Sequence, residues 1–257
     1  MEDWCGDDAH RQFAYRLRFD WGLRGAQAIA PDADIAIVVD VLSFTTTLSV
    51  ALDEGIVVLP YQWKDESAAR YAREHKATLA VSRKTAARGT ITLSPQSIRD
   101  AVPVPRLVLP SPNGSAISFR LAEGRSTVLG ASLRNADAIA TWIAINYDAA
   151  ATNISVIAAG EQWADGSLRP AVEDLWGAGA VLSALVARGW TDLSPEAQVA
   201  QHAFLGVKES IERQLQRCAS GRELIDRGFA SDVEIAAEFN SSASVPLLRD
   251  RRFVPAP

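Results

Sequence analysis

The chain has 257 residues, 48% of them hydrophobic and 22% charged, which is the composition of a globular protein. Its 26 Lys and Arg residues stand against 31 Asp and Glu residues, so the net charge is -5, and no dense basic run offers a surface to nucleic acid. No segment reaches the roughly 18 consecutive apolar residues that a membrane helix needs, and the acidic N-terminus is unlike a secretory signal. We therefore expect a soluble, cytoplasmic protein with neither a nucleic-acid partner nor a membrane.

Residues that form disulfides or bind zinc are few and scattered. Cys5 and Cys218 show no C-x-x-C spacing, and both are expected to be free thiols, as is usual in a reducing cytoplasm. His10, His75 and His202 lack the spacing of a zinc motif and are expected at the surface or in packing positions. The sequence therefore favours neither a disulfide framework nor a zinc site.

Short apolar runs alternate with helical patterns along the chain, which is typical of α/β proteins. The run Ile35-Ala-Ile-Val-Val39 is continuously apolar, as expected of a strand buried on both faces of a sheet. Other strands are predicted at residues 13–19, 56–59, 78–81, 106–109, 127–129 and 154–158.

Helical patterns lie between these strands and dominate the C-terminal third. Helices are predicted at residues 44–54, 65–74, 135–145, 172–188, 195–205, 208–218, 222–226 and 232–239. Residues 85–105 have weak periodicity and predict a loop-rich insertion. The expected fold is therefore α/β, with three α/β/α layers and a mixed sheet, in a single domain over residues 1–257. A two-lobe division near residue 110 remains an alternative.

The first candidate site begins at Asp40, directly after the buried strand. Ligands of open α/β sheets bind at the carboxyl ends of the strands, where Asp40 is expected. Ser43 is a natural N-cap, and Thr45, Thr46 and Thr47 follow in the first helical turn. Backbone N–H groups, hydroxyls and the helix dipole could bind an anion there, with Mg²⁺ balancing the Asp40 carboxylate. The alternative is that these residues only cap and pack the helix.

A second candidate cluster follows the predicted strand at residues 154–158. Glu161, Asp165, Glu173 and Asp174 place four carboxylates within fourteen positions, which could supply ligands to a divalent metal. They could equally be solvated loop charges and acidic residues of a first helical turn.

A third candidate is the turn Asn113-Gly114-Ser115, which follows the predicted strand at residues 106–109. An Asn-Gly pair accepts left-handed backbone and can expose N–H groups to a ligand, although it also forms ordinary turns.

Taken in order, these segments resemble the 2-phosphosulfolactate phosphatase family, the Mg²⁺-dependent phosphatases of coenzyme M biosynthesis. The resemblance runs from about residue 35 to residue 246. The matching segments are residues 40–47 (DVLSFTTT), 112–115 (PNGS), 135–136 (NA), 159–160 (AG), 173–179 (EDLWGAG) and 221–228 (GRELIDRG), with Asp232 and Val245-Pro246 beyond them.

The resemblance implies Mg²⁺-dependent hydrolysis of a small acidic phosphate monoester, in which the metal neutralises charge on the phosphoryl group. It implies Asp40 and Asp174 as catalytic residues, with Asp40 either a metal ligand or the nucleophile. The implied metal ligands are Asp40, Glu161, Glu173 and Asp174. The implied contacts to the anionic phosphate-ester substrate are Ser43, Thr45, Thr46, Thr47, Arg83, Asn113, Gly114, Ser115 and Asn135.

The chain departs from the family pattern near the expected anion site. Ser43 and Phe44 stand where the family has Arg-Ala, and Arg83 ends a Val-Ser-Arg segment where the family has Gly-Glu-Arg. We expect weaker support for a sulfonate unless Arg83 or another cation enters the pocket. The alternative functions are a non-catalytic small-anion-binding protein and a hydrolase of another small phosphorylated acid. A homodimer is left open.

Overall fold

The computed structural model describes residues 8–62, 66–83, 86–87 and 89–257. Cys5 and the first residue of the helix expected at 65–74 lie outside this part of the chain. In the described part, no helix is both long enough and apolar enough to cross a bilayer.

The strands occupy short segments, each five residues or fewer. They are β1 Leu17–Trp21, β2 Ile35–Val39, β3 Val57–Tyr61, β4 Thr78–Leu79, β5 Arg106–Pro110, β6 Thr127–Ala131, β7 Ile154–Ala158, β8 Glu161–Gln162, β9 Leu168–Arg169, β10 Pro246–Arg249 and β11 Arg252–Pro255.

The helices lie between the strands and fill most of the C-terminal third, as predicted. They are α1 Gly22–Ile29, α2 Phe44–Asp53, α3 Glu66–Glu74, α4 Pro95–Arg99, α5 Gly114–Leu121, α6 Ala136–Asn146, α7 Val172–Val186, α8 Pro195–Leu205, α9 Ile211–Arg217, α10 Ala219–Asp226 and α11 Ala230–Ala236.

Nine strands form one mixed sheet in the order β1-β7-β2-β6-β10-β11-β3-β5-β4. The blocks β1-β7-β2-β6 and β3-β5-β4 are each parallel. The antiparallel hairpin β10–β11 joins them through the pairs Leu247–Leu129 and Phe253–Val58. Strands from before and after residue 110 therefore belong to the same sheet.

Helices cover both faces of the β1-β7-β2-β6 block, which confirms the α/β prediction. In β2, Ile35, Ile37 and Val39 pack into a core built with α6, α7 and α8. Ala36 and Val38 face the other way, into a core built with α1 and α5. Because successive side chains of a strand point to opposite faces, this apolar run requires a helical layer on each side.

Several boundaries differ from the sequence-based expectations. The strand predicted at 13–19 is β1, Leu17–Trp21, and the helix predicted at 208–218 divides into a 3₁₀ turn, Lys208–Ser210, and α9. The patterns did not predict α1, α4, α5 or the β10–β11 hairpin. The hairpin owes its place to pairing with β6 and β3, which lie more than a hundred residues earlier in the chain, and local periodicity carries no information on such pairing.

Candidate active site

Asp40 directly follows β2 and is only 5% exposed. Its Oδ1 accepts a hydrogen bond from the Phe44 amide at 3.0 Å, and its Oδ2 accepts one from the Gly114 amide at 2.9 Å. Phe44 and Gly114 are the first residues of α2 and α5, so one carboxylate receives N–H donors from the starts of two helices. Both helix dipoles therefore present their positive ends to this carboxylate.

Gly114 has to be a glycine for this arrangement to form. A Cβ at this position would lie 2.7 Å from Asp40 Oδ2 and 2.7 Å from Phe44 Cδ1, which is far inside van der Waals contact. The missing side chain therefore lets the start of α5 approach the carboxylate closely. The close approach of α5 to Asp40 therefore accounts for the glycine in the Asn-Gly pair.

Asp174 joins the ends of two neighbouring parallel strands. Its Oδ1 accepts from the Val41 amide at 2.7 Å, just after β2, and its Oδ2 accepts from the Gly160 amide at 2.8 Å, just after β7. Burial, followed by the negative charges of Asp40 and Glu173, raises the pKa of Asp174 well above its ordinary value, while the Val41 amide opposes the rise. Asp174 thus holds the Asp40 loop in register with the loop after β7.

Glu161 begins the short β8 strand and accepts a hydrogen bond on Oε2 from Asn113 Nδ2 at 2.9 Å. Burial and then the charge of Asp40 raise the pKa of Glu161 to about 7, and the Asn113 hydrogen bond works in the opposite direction. The structure therefore brings together the three segments that the sequence singled out, those of Asp40, Asn113 and Glu161.

Glu173 lies at the start of α7 and is only 2% exposed. Its Oε1 is buried and has no hydrogen-bond partner in the part of the chain that the structure describes. Burial and the charge of Glu173 raise the pKa of the Cys218 thiol to about 12, so that thiol remains protonated. Cys218 is free, as predicted. Asp165, by contrast, is exposed and bonds only to Ser167 in its own turn, so it lies outside the cluster.

The raised pKa of Glu161 predicts a pH-dependent stability in protein freed of metal with EDTA. Because the folded-state pKa of about 7 lies above the ordinary value of 4.5, the stabilising effect of protonated Glu161 is complete below pH 4.5 and is lost as the pH rises through 7. Glu161→Gln cannot titrate. Between pH 4.5 and pH 8 we expect the free energy of unfolding of Glu161→Gln to rise by about 2–3 kcal/mol relative to that of the wild type. Urea unfolding at each pH measures this difference. If the difference in unfolding free energy between the two proteins stays constant across this range, the raised pKa of Glu161 is contradicted.

Most of the hydroxyls expected at the anion site bond to backbone instead. Thr45 Oγ1 donates to the Asp40 carbonyl at 2.7 Å and accepts from the Asp40 amide at 2.9 Å. Thr47 Oγ1 donates to the Leu93 carbonyl at 2.8 Å. Ser115 Oγ donates to the Leu109 carbonyl and accepts from the Tyr61 amide. Thr45 therefore holds the backbone of Asp40, Thr47 ties α2 to the segment before α4, and Ser115 ties the start of α5 to β3 and β5.

The hydroxyls of Ser43 and Thr46, at the start of α2, do not bond to the backbone of the described residues. Thr46 Oγ1 is buried without a hydrogen-bond partner. Ser43 was expected to cap α2, but its side chain makes no capping hydrogen bond. Its Oγ accepts instead from Arg83 Nη2 at 2.9 Å. The peptide bond between Leu42 and Ser43 is cis.

Asn135 is fully buried and forms hydrogen bonds that organise its own turn. Its Oδ1 accepts from the Ser132 amide at 2.8 Å, and its Nδ2 donates to the carbonyls of Ser244 at 3.1 Å and Gly130 at 3.3 Å. These bonds tie the end of β6 to the segment before β10. The structure thus gives Asn135 a structural role, and its expected contact with phosphate stays a prediction.

The cluster fits a metal ion held by few protein ligands. Among the described residues, no group of three or more His, Cys, Asp or Glu side chains could hold a metal by itself. Mg²⁺ does not need such a group, because it keeps several waters and is commonly bound by one or two carboxylates plus substrate phosphate. The bare Oε1 of Glu173 and the raised pKa values of Glu161 and Asp174 are features that a cation would compensate.

Buried carboxylates and two helix starts gather at the carboxyl ends of parallel strands, which is where enzymes of the α/β class bind their ligands. The chain belongs to the 2-phosphosulpholactate phosphatase family, whose family model matches residues 26–251. It is therefore a phosphatase, a hydrolase of phosphoric monoesters.

Two curated relatives cover nearly the whole chain. A probable 2-phosphosulfolactate phosphatase from Deinococcus radiodurans is 30% identical over 252 residues, covering 94% of this chain and 96% of the relative. A probable 2-phosphosulfolactate phosphatase from Thermus thermophilus is 29% identical over 241 residues, covering 92% of this chain and 95% of the relative.

Sequence reasoning missed Asp232 and Ser94 as neighbours of the site. Asp232 is fully buried and pairs with Arg83 at 2.8 Å, and its other oxygen accepts a hydrogen bond from the Ser94 hydroxyl. The available signal was Asp232 itself, which belongs to the matching pattern, since an acidic residue requires a partner when it is buried.

Proposed function

We propose that this phosphatase hydrolyses 2-phosphosulfolactate, or a closely similar acidic phosphate ester, to the corresponding alcohol and phosphate with the aid of Mg²⁺. The proposal rests on one observation above all, the Asp40 carboxylate held between the starts of α2 and α5 beside Glu161, Glu173 and Asp174. The matched family and both relatives carry the name of this activity.

Asp40 and Glu173 are the carboxylates best suited to hold the cation. Backbone N–H donors hold both oxygens of Asp40 at the end of β2, and Oε1 of Glu173 is buried with no hydrogen bond among the described residues. When bound, Mg²⁺ would neutralise the negative charge of the transferring phosphoryl group. The assignment of Asp40 as a metal ligand rests on the backbone N–H groups that fix both of its oxygens, and the labelling experiment in the Discussion tests the nucleophile role.

Glu161 is the group that can hold a proton near neutral pH. Without a bound cation the pKa of this carboxyl is about 7, so both protonation states are present near neutral pH, as a proton donor or acceptor in catalysis requires, and a cation at Asp40 would lower this pKa. The Asn113 side chain fixes its Oε2, so the proton would reside on Oε1. Hydrolysis needs such a group, because the departing alkoxide has to be protonated as the P–O ester bond breaks and water supplies the new P–O bond.

The function is tested by measuring phosphate released from 2-phosphosulfolactate by the purified protein with Mg²⁺. 2-Phospholactate, which lacks the sulfonate, and p-nitrophenyl phosphate, which carries no acid beyond the phosphate, serve as comparison esters. We expect the highest kcat/KM for 2-phosphosulfolactate. Release from none of the three esters, with sulfolactate still binding, would instead favour a non-catalytic anion-binding protein.

Thr46 gives a prediction in which stability and function change in opposite directions. Thr46→Val removes a buried hydroxyl that has no partner, so the free energy of unfolding should stay equal or rise by about 1 kcal/mol. If this hydroxyl contacts the phosphoryl group, inhibition by phosphate should weaken about tenfold.

Thr45→Val is the matched control for Thr46→Val, because it removes two hydrogen bonds to the backbone of Asp40. We expect it to lower the free energy of unfolding by about 1–3 kcal/mol. Urea unfolding and steady-state inhibition by phosphate measure both effects. Unchanged phosphate inhibition in Thr46→Val would show that Thr46 is only a packing residue.

A further inference from the structure

The guanidinium of Arg83 lies against the first turn of α2. Its Nη2 donates to Ser43 Oγ at 2.9 Å and to the Leu93 carbonyl at 3.1 Å. The same Leu93 carbonyl accepts from Thr47 Oγ1, so Arg83 and the first turn of α2 share one acceptor. Since Phe44, the residue after Ser43, donates its amide to Asp40, the guanidinium stands close to the carboxylate site.

Asp232 fixes the position of this guanidinium. It lies on α11, is fully buried, and accepts from Arg83 Nη2 at 2.8 Å. The Ser94 hydroxyl donates to its other oxygen, and the ring of Phe229 lies 5.3 Å from the guanidinium carbon. A buried ion pair adds little net stability compared with apolar residues of similar size, so this network is better explained by the placement of Arg83 than by the stability of the fold.

Donor groups of this network remain for a ligand. Among the described residues no hydrogen-bond partner is found for Arg83 Nε, which is buried, or for Nη1, which is the donor left for a ligand. The side chain is 19% exposed, so solvent reaches part of it. Ser43 Oγ accepts from Arg83, and no acceptor is described for its own proton. A planar guanidinium with adjacent free donors matches a carboxylate or sulfonate, which offers two or three acceptor oxygens.

We infer that Arg83, positioned by Asp232, binds the acidic group of the substrate that is not the phosphate, a sulfonate or a carboxylate. This inference rests on the proposed function for the identity of the ester. The cation that recognises the acidic end would thus come from position 83. Because residue 43 is a serine where the family has an arginine, the guanidinium of Arg83 has a hydroxyl beside it and not a second positive charge.

The test compares esters with and without the second acid in Arg83→Met. We expect the ratio of kcat/KM for 2-phosphosulfolactate to kcat/KM for p-nitrophenyl phosphate to fall about 10- to 100-fold, mainly through KM, since a charge-assisted hydrogen-bond pair is lost. If kcat/KM falls equally for both esters, the inference is overturned, because Arg83 would then bind the phosphate group or stabilise the fold.

Two further variants keep the test decisive if Arg83→Met fails to fold with Asp232 left buried and unpaired. The double variant Arg83→Met with Asp232→Asn removes both charges, and we expect the same fall in the ratio. Asp232→Asn alone keeps Arg83 but loosens it, so the ratio should fall less, again through KM. The control is Arg99→Met, which breaks the comparable ion pair of Arg99 with Glu238 and should leave the ratio unchanged.

Binding of sulfolactate, which has both acids but no phosphate, separates this inference from the proposed function. Isothermal titration calorimetry should show binding to the wild type that weakens at least about tenfold in Arg83→Met and in the double variant. Arg83-dependent binding by a protein that hydrolyses no ester would support the anion contact and overturn the phosphatase proposal. Hydrolysis with unchanged sulfolactate binding in the variants would overturn the anion contact alone.

Discussion

Asp40→Asn is expected to lower kcat/KM at least about a thousandfold, because it removes the charge on which the site is centred. The amide also cannot reproduce the hydrogen bonds of the carboxylate. Asp40 accepts N–H donors from Phe44 and Gly114 on its two oxygens, whereas an asparagine would present its NH₂ group to one of them. Steady-state phosphate release measures the effect, with the melting temperature as a check on folding.

Asp174→Asn is the matched comparison, since Asp174 also accepts two backbone N–H donors and is equally buried. Both variants should lose a similar amount of stability, while the Asp40 variant loses more activity. Equal activity losses would mean that Asp40 acts only by holding the two helix starts. The wild type can also be mixed with substrate labelled in the phosphoryl group and the reaction quenched with acid. A nucleophilic Asp40 would leave label covalently on the protein, whereas an Asp40 that is only a metal ligand would not.

Removal of divalent metal is expected to lower phosphate release to background, a loss of at least about a hundredfold, which added Mg²⁺ restores. The physical reason is that four carboxylates are gathered in one place, where burial and then electrostatic repulsion raise the pKa values of Glu161 and Asp174. A phosphate dianion would add to that repulsion. The measurement is activity after dialysis against EDTA and again after titration with Mg²⁺.

Glu173→Gln tests whether the bare Oε1 contributes to the metal site. We expect the Mg²⁺ concentration for half-maximal activity to rise about 10- to 100-fold, and the Mg²⁺-dependent rise in melting temperature to shrink in parallel. Glu196→Gln, an exposed acid on α8, is the control and should change neither quantity. Full activity in EDTA would remove the metal from the mechanism.

The sequence by itself determined the central strands and the place of Asp40. β2 begins and ends where its apolar run does, because a strand buried on both faces is apolar along its length, and β7 also has the bounds that the sequence predicted. Since the rule that ligands bind at the carboxyl ends of strands is topological, it located Asp40 and Glu161 without coordinates. The helices of the C-terminal third were predicted for a similar reason, because their apolar spacing is local.

Only the tertiary structure decided how the side chains at that edge are used. The Gly114 amide reaches Asp40 across 74 residues, Val41 reaches Asp174 across 133, and Arg83 reaches Asp232 across 149. No local pattern encodes such contacts.

The sequence also could not tell which partner each hydroxyl at the start of α2 would take, because these residues look equivalent in the sequence. Thr45 and Thr47 bond to backbone, Ser43 bonds to Arg83, and Thr46 has no partner. The difference arises because a buried polar group must bond to whatever the packed neighbours supply. Those neighbours are Asp40, Arg83 and Leu93, and only the folded chain brings the last two to the start of α2.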